Sequence, residues 1–203
     1  MNHTFIINYF IKKYNYTSYL EIGTCDIIHN FIHIDCIHKE CIDPSPINTT
    51  GVTYLMTSDE AFGKIQSQNK KYDLIFIDGL HLEGQVDNDI ENSLACLTTN
   101  GTIILHDCNP PTAIHGGDSY QLANIYTNND WNGTVYKSIV KFNQKNTCGC
   151  VVDIDWGCGI IRPSLQNRPI VINHKALIMD WDNFDKNRKN LLKLVPETEL
   201  FNM

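Results

Sequence analysis

The chain has 203 residues, 42% of them apolar and 19% charged, which is globular composition for a single domain (residues 1–203) large enough to bury a core. Its formal charge of −7, with no Lys/Arg run longer than Lys12-Lys13 or Lys70-Lys71, argues against nucleic acid as a partner, because neutralising phosphates takes a surplus of basic residues. The apolar stretch Phe5–Ile11 is too short to span a membrane and has no Lys or Arg before it, so neither a membrane partner nor an export signal is expected, and a cytoplasmic location is. In a reducing compartment the eight cysteines should remain free thiols, and their spacing does not match paired C-x2-C zinc hooks.

Thr4–Tyr14 carries Ile6, Phe10 and Lys13 at helical spacing and predicts an amphipathic helix. Ser18–Gly23 is a short apolar run ending in glycine, as a buried strand entering a turn would. Lys39–Asp43 predicts a second strand, stopped by Pro44-Ser45-Pro46, and Val52–Met56 a third. Ser58 or Asp59 is a candidate N-cap for a helix through Phe62 and Ile65. Tyr72–Asp78 and Thr102–Asp107 are continuous apolar runs ending in polar residues, the pattern of parallel strands covered on both faces. The helical spacing of Val86, Ile90 and Leu94 between them completes a right-handed βαβ unit.

Beyond Asp107 the pattern loosens. Residues 108–131, with Pro110-Pro111 and Gly116-Gly117, read as a long loop, a candidate substrate lid. A helix over Val135–Phe142, a strand over Gly149–Ile154 and an antiparallel return over Gly157–Ile161 follow. Residues 162–203 form an extension whose polar helix, Asp182–Val195, has Phe184, Leu191, Leu192 and Val195 on its apolar side.

Ligands of open parallel sheets bind outside the carboxyl ends of the strands. Here an acidic residue sits at or beside every such end: Glu21, Asp43, Asp59, Asp78 and Asp107. Asp43 falls about 20 residues after Gly23, where an acidic side chain accepts from the hydroxyls of a nucleoside ribose. Gly23 lets backbone approach a ligand closely. His81 and His106 share the same edge, and a histidine is a suitable general base near neutral pH.

Leu20-Glu21-Ile22-Gly23, Ile42-Asp43-Pro44, Met56-Thr57-Ser58-Asp59-Glu60, Phe76-Ile77-Asp78-Gly79-Leu80-His81 and Leu105-His106-Asp107-Cys108 together resemble the class I S-adenosylmethionine-dependent methyltransferases. The branch most similar has a His-Asp motif after the fifth strand and is related to sugar and small-molecule O-methyltransferases. The resemblance implies an α/β Rossmann-like fold whose mostly parallel seven-stranded sheet ends in an antiparallel strand. It implies S-adenosylmethionine as cofactor, with Glu21 and Gly23 beside its methionine part, Asp43 on the ribose, Ser58 and Asp59 near the adenine and Asp78 beneath the methyl. His106, His81 and Asp107 become the catalytic candidates. Relatives often hold a divalent ion on carboxylates matching Asp78 and Asp107, which suits Mg2+. The usual third ligand falls on Cys108, for which His81 or His106 could substitute, with a shift toward softer metals.

One departure stands out. Where the family carries a second glycine this chain has Ile27, a β-branched residue that takes a left-handed conformation only at a cost. Two functions are therefore carried forward. The first is O-methylation of a small hydroxylated acceptor, with a sugar or glycan precursor favoured and Trp131, Trp156 and Tyr120 available to stack on its face. The second is a degenerate domain that lost its cofactor and serves as a binding or scaffold module. A homo-oligomer is compatible with both.

Overall fold

The computed structural model describes residues 1–202. Seven strands form one sheet in the order β2-β1-β3-β4-β6-β5-β7: β1 (Ser18–Ile22), β2 (His38–Ile42), β3 (Tyr72–Ile77), β4 (Leu97–Leu105), β5 (Gly149–Asp153), β6 (Cys158–Ile161) and β7 (Leu194–Pro196). The helices are α1 (His3–Tyr14), α2 (Ser58–Ser67), α3 (Glu83–Cys96), α4 (Tyr120–Tyr126), α5 (Val135–Lys145) and α6 (Trp181–Leu191). β2, β1, β3 and β4 run parallel, and β6 lies antiparallel between β4 and β5. The expected Rossmann-like, mostly parallel sheet is thus present, and its antiparallel member is the predicted return over 157–161.

The apolar runs become central strands because both of their faces are covered. Leu20, Ile22, Ile75, Ile77, Ile103 and Leu105 pack with the helix residues Phe62, Ile65, Val86, Ile90, Ile139 and Phe184. The alternate residues Tyr19, Leu74, Phe76 and Ile104 pack with Ile6, Ile7 and Phe10 of α1 on the other face. This is the period-two alternation of a pleated strand, apolar in both phases. None of the described helices is long and apolar enough to cross a membrane, and all eight cysteines are free.

Four local expectations need correction. Val52–Met56 forms no strand but a single bridge, Ile42 to Tyr54, because only Tyr54 of the five is fully buried and Leu55 faces solvent. The N-cap of α2 is Thr57 rather than Ser58 or Asp59; its side chain accepts from the Glu60 N–H while Glu60 reaches back to the Thr57 N–H. The long loop contains α4, whose N-cap Ser119 accepts from the Leu122 N–H. The C-terminal helix ends at Leu191, Lys193 turns left-handed, and Leu194–Pro196 pairs with β5 as a parallel edge strand.

Candidate active site

The chain passes from β1 to β2 on one side of the sheet and then crosses to β3 on the other, so β1 and β3 flank the switch in strand order. A cavity of about 730 Å3 opens there, within the range of small-ligand sites. Glu21, Gly23, Asp43, Ser58, Asp78, His81, His106 and Asp107 all line it. Asp59 does not. It is exposed in the first turn of α2 and accepts from Gln85 Nε2 at 3.2 Å, while its neighbours Thr57 and Ser58 line the cavity.

Gly23 has to be glycine. Its φ is +83°, and a Cβ there would stand 2.0 Å from the Asp78 carbonyl oxygen. The close approach follows from the sheet, since the Gly23 N–H donates to the Ile42 carbonyl while the Asp78 N–H donates to that of Ile22. The loop that follows is held by Asp43, whose Oδ2 accepts from the Cys25 N–H and whose Oδ1 accepts from the Ser45 N–H, both at 2.7 Å. Cys25, not Ile27, takes the left-handed conformation of this loop, at φ +56°. Ile27 stays outside that region and packs its side chain on the α1 side of the core. The cost attached to a β-branched residue therefore does not arise, and the scaffold alternative loses its main support.

Glu21 is expected beside the methionine part of the cofactor, yet its carboxyl is 1% exposed and tied to its own neighbours. Tyr19 Oη and Asn30 Nδ2 both donate to Glu21 Oε2 at 2.6 Å. Burial outweighs these bonds and raises Glu21 to about 7.

The chemistry-bearing groups meet at the ends of β3 and β4. His81 Nε2 and His106 Nδ1 each lie 3.3 Å from Asp78 Oδ1, and His106 Nδ1 lies 3.3 Å from Asp107 Oδ2. Successive strand residues point to opposite faces, which would part His106 from Asp107. The strand stops at Leu105, however, and Asp107 adopts φ +60°, which folds its carboxylate back beside the imidazole. That strained backbone is braced by Asn132, whose Nδ2 donates to Asp107 Oδ1 at 2.6 Å. His81 is fixed from the lid side, since its Nδ1 lies 2.9 Å from the Trp131 carbonyl and the Trp131 ring stacks on the imidazole.

Opposed charges set the protonation here. Burial works to raise Asp78, but the charge of His106 and hydrogen bonds from both histidines hold it well below the usual carboxylate range. Burial works to lower His81, but Asp78 and Asp107 lift it to about 9. His106 is lifted well above the usual histidine range against the same desolvation, by Asp78, Asp107 and Asp155.

Carboxylate oxygens of Asp78 and Asp107 and a nitrogen of His81 lie within 4.8 Å of one another, a donor set that fits a divalent cation. Cys108 cannot join it. Its thiol is buried and directed at the Leu105 and His106 carbonyls, with burial pushing its pKa up. Sequence reasoning missed Cys25, Asn132, Asp155 and His3. The last two reach the site across 152 residues, a proximity that no local pattern signals.

A seven-stranded α/β sheet with one inserted antiparallel strand and a ligand cavity at the β1/β3 switch defines the Rossmann-like methyltransferase architecture. Residues 40–108 match the family model described as a methyltransferase domain. Over that segment, which runs from β2 through β4, the chain is similar to methyltransferase domains. Among solved structures, the O-methyltransferase TomG from Streptomyces achromogenes, involved in tomaymycin synthesis and in complex with SAM, aligns at TM-score 0.52 and 10% identity over 78% of each chain. The O-methyltransferase from Bacillus cereus in complex with SAH aligns at TM-score 0.50 and 10% identity, over 78% of this chain and 79% of that one. No curated protein matches by sequence.

Proposed function

We propose that the protein transfers a methyl group from S-adenosylmethionine to a hydroxyl of a small acceptor, and that the acceptor is a sugar or glycan precursor. The observation that carries this reading is the convergence of Gly23, Asp43, Asp78, His81 and Asp107 on one cavity at the strand switch. S-adenosylmethionine, when bound, supplies a methyl on a positively charged sulfur. Asp43 would accept from the ribose hydroxyls while also holding the Cys25 loop, since a carboxylate has acceptor sites to spare. Asp78 and the Gly23 backbone would sit beside the transferring methyl.

Of the two histidines His81 is the better-placed base. With its Nδ1–H on the Trp131 carbonyl, the lone pair belongs to Nε2, on the side of Asp78. His81 Nε2 would take the hydroxyl proton as the acceptor oxygen bonds to the methyl carbon and the carbon–sulfur bond breaks. Asp78 and Asp107 would then stabilise the imidazolium. With a divalent cation such as Mg2+ held by the Asp78 and Asp107 carboxylates and not by His81, the pull that lifts His81 to about 9 is compensated, and Nε2 can accept a proton near neutral pH.

Residues 108–131 would act as the lid. Trp131 stacks on His81 and Tyr120 meets Trp131 edge-on, so the lid places its aromatic side chains directly behind the proposed base. Calorimetric titration with S-adenosylhomocysteine, with and without Mg2+, tests the reading. Saturable binding is expected, and no binding at millimolar ligand would overturn it.

A further inference from the structure

On the far side of His106 from Asp78 and Asp107 lies a second cluster, which the methyl-transfer reading does not use. His3 opens α1, His106 follows β4, and Asp155 sits in the turn between β5 and β6. Asp155 and Trp156 both adopt positive φ, +48° and +64°, which curls the carboxylate back toward the strand ends. His3 Nδ1 lies 2.7 Å from Asp155 Oδ2, and His106 Nε2 lies 3.5 Å from the same oxygen. One donor atom from each of the three residues falls within a sphere of mutual distances no greater than 4.8 Å. His3 stacks on Phe76 and meets the His106 ring edge-on at 4.6 Å, so its imidazole is oriented by packing.

Two features point to a ligand rather than to mutual pairing alone. His106 Nε2 is buried and makes no hydrogen bond. Its other nitrogen, Nδ1, faces Asp78 and Asp107 at 3.3 Å, which is the carboxylate partner that fixes the tautomer of a metal-bound imidazole. Nε2 stands 3.5 Å from Asp155 Oδ2, and the proton it carries toward that carboxylate is the one a metal ion would displace, since imidazole binds metal deprotonated. The carboxylate is itself supported, since the His3 backbone N–H donates to Asp155 Oδ2 at 2.7 Å.

We propose that His3 Nδ1, His106 Nε2 and Asp155 Oδ2 form a cation site for a divalent transition ion of the zinc type, separate from the carboxylate pair Asp78 and Asp107. Two imidazoles and one carboxylate favour zinc or cobalt over magnesium, which prefers oxygen. Three protein ligands leave a fourth position for water or a substrate atom, as catalytic zinc sites do. His3 and His106 both line the cavity, so that position is reachable from it. The site does not depend on methyl transfer and stands or falls apart from it.

The test titrates metal-freed protein with Co2+ and Zn2+ alone, following Co2+ absorption, calorimetric stoichiometry and melting. The double variant Asp78→Asn/Asp107→Asn, which also removes the outer partners of His106, should still bind one equivalent of Co2+, about ten- to a hundred-fold more weakly than the wild type. His3→Gln and Asp155→Asn, each introduced into that double variant, should weaken binding at least on the order of a hundred-fold, given that even outer partners of such ligands are worth ten- to a hundred-fold. Melting without metal reports whether each variant is folded, and the two variants are read independently, so a folding failure in one leaves the other decisive. Unchanged Co2+ affinity in a folded His3→Gln or Asp155→Asn variant would overturn the site. So would loss of all binding in a folded Asp78→Asn/Asp107→Asn protein, or absence of binding by the wild type.

Discussion

The carboxylate of Asp43 accepts the backbone N–H of Cys25 at 2.7 Å, across the mouth of the cavity. One side chain at the end of β2 therefore holds the loop after β1 in its left-handed turn, and does so where the ribose of a nucleoside ligand would rest. Asp43→Ala should weaken S-adenosylhomocysteine binding by roughly 1.5–3 kcal/mol, the usual loss for hydrogen bonds to a charged group. Calorimetric titration of both proteins measures it, and equal affinities would remove Asp43 from the site.

Gly23 offers a steric test. A methyl group at φ +83°, 2.0 Å from the Asp78 carbonyl oxygen, forces β1 and β3 apart at their ends. Gly23→Ala should cost roughly 2–4 kcal/mol, combining the left-handed penalty with overpacking. Urea denaturation reads this directly. A loss under about 0.5 kcal/mol, the scale of ordinary surface substitutions, would mean that the strand ends yield freely.

The strands and the carboxylates at their ends were legible in the sequence because β1, β3 and β4 are apolar in both phases of the pleat and stop at polar residues. Asp78 and Asp107 could be placed at the edge by that rule alone. The side-chain directions could not, because the backbone at Asp107 leaves the strand and turns left-handed, which strand alternation does not foresee. Cys25 likewise absorbs a conformation expected of a glycine two residues further on. His3 and Asp155 were invisible for a different reason: their meeting depends on α1 covering one face of the sheet and on the β5–β6 turn closing against it. Val52–Met56 misled because, of five residues of strand-like composition, only Tyr54 is buried and pairs with β2, while Thr53 and Leu55 are exposed.

Glu21 provides the pH dependence. Burial raises its carboxyl from an ordinary 4.5 to about 7, so the folded chain keeps a proton through a range in which the unfolded chain has released it. Below pH 4.5 both states hold the proton and nothing is lost. Stability then falls as pH rises from there to about 7 and levels off above, by about 3 kcal/mol at about 1.4 kcal/mol per pH unit. Glu21→Gln carries no titrating proton and should not show that fall. Denaturant unfolding of both proteins at pH 4.5 and pH 8 gives the comparison, and the idea fails if the two lose the same stability between those values.

His81 separates binding from chemistry. Its imidazole is fixed at Nδ1 by the Trp131 carbonyl and lies beside Asp78, whereas the loop that would hold the nucleoside is built by Asp43, Cys25 and Ser45. A base that takes the hydroxyl proton acts in the transition state, so its removal should be felt in turnover and not in cofactor affinity. On a hydroxyl acceptor that the wild type methylates, His81→Ala should lower kcat on the order of a hundred- to ten-thousand-fold. S-adenosylhomocysteine affinity should stay within about twofold, a change of only a few tenths of a kcal/mol. His106→Ala serves as the comparison, since His106 lies deeper and its Nδ1 is bracketed by Asp78 and Asp107. If His106→Ala loses turnover while His81→Ala keeps it, the proton goes to His106 instead. Turnover retained in both single variants and in the double variant would rule out a histidine base in this site.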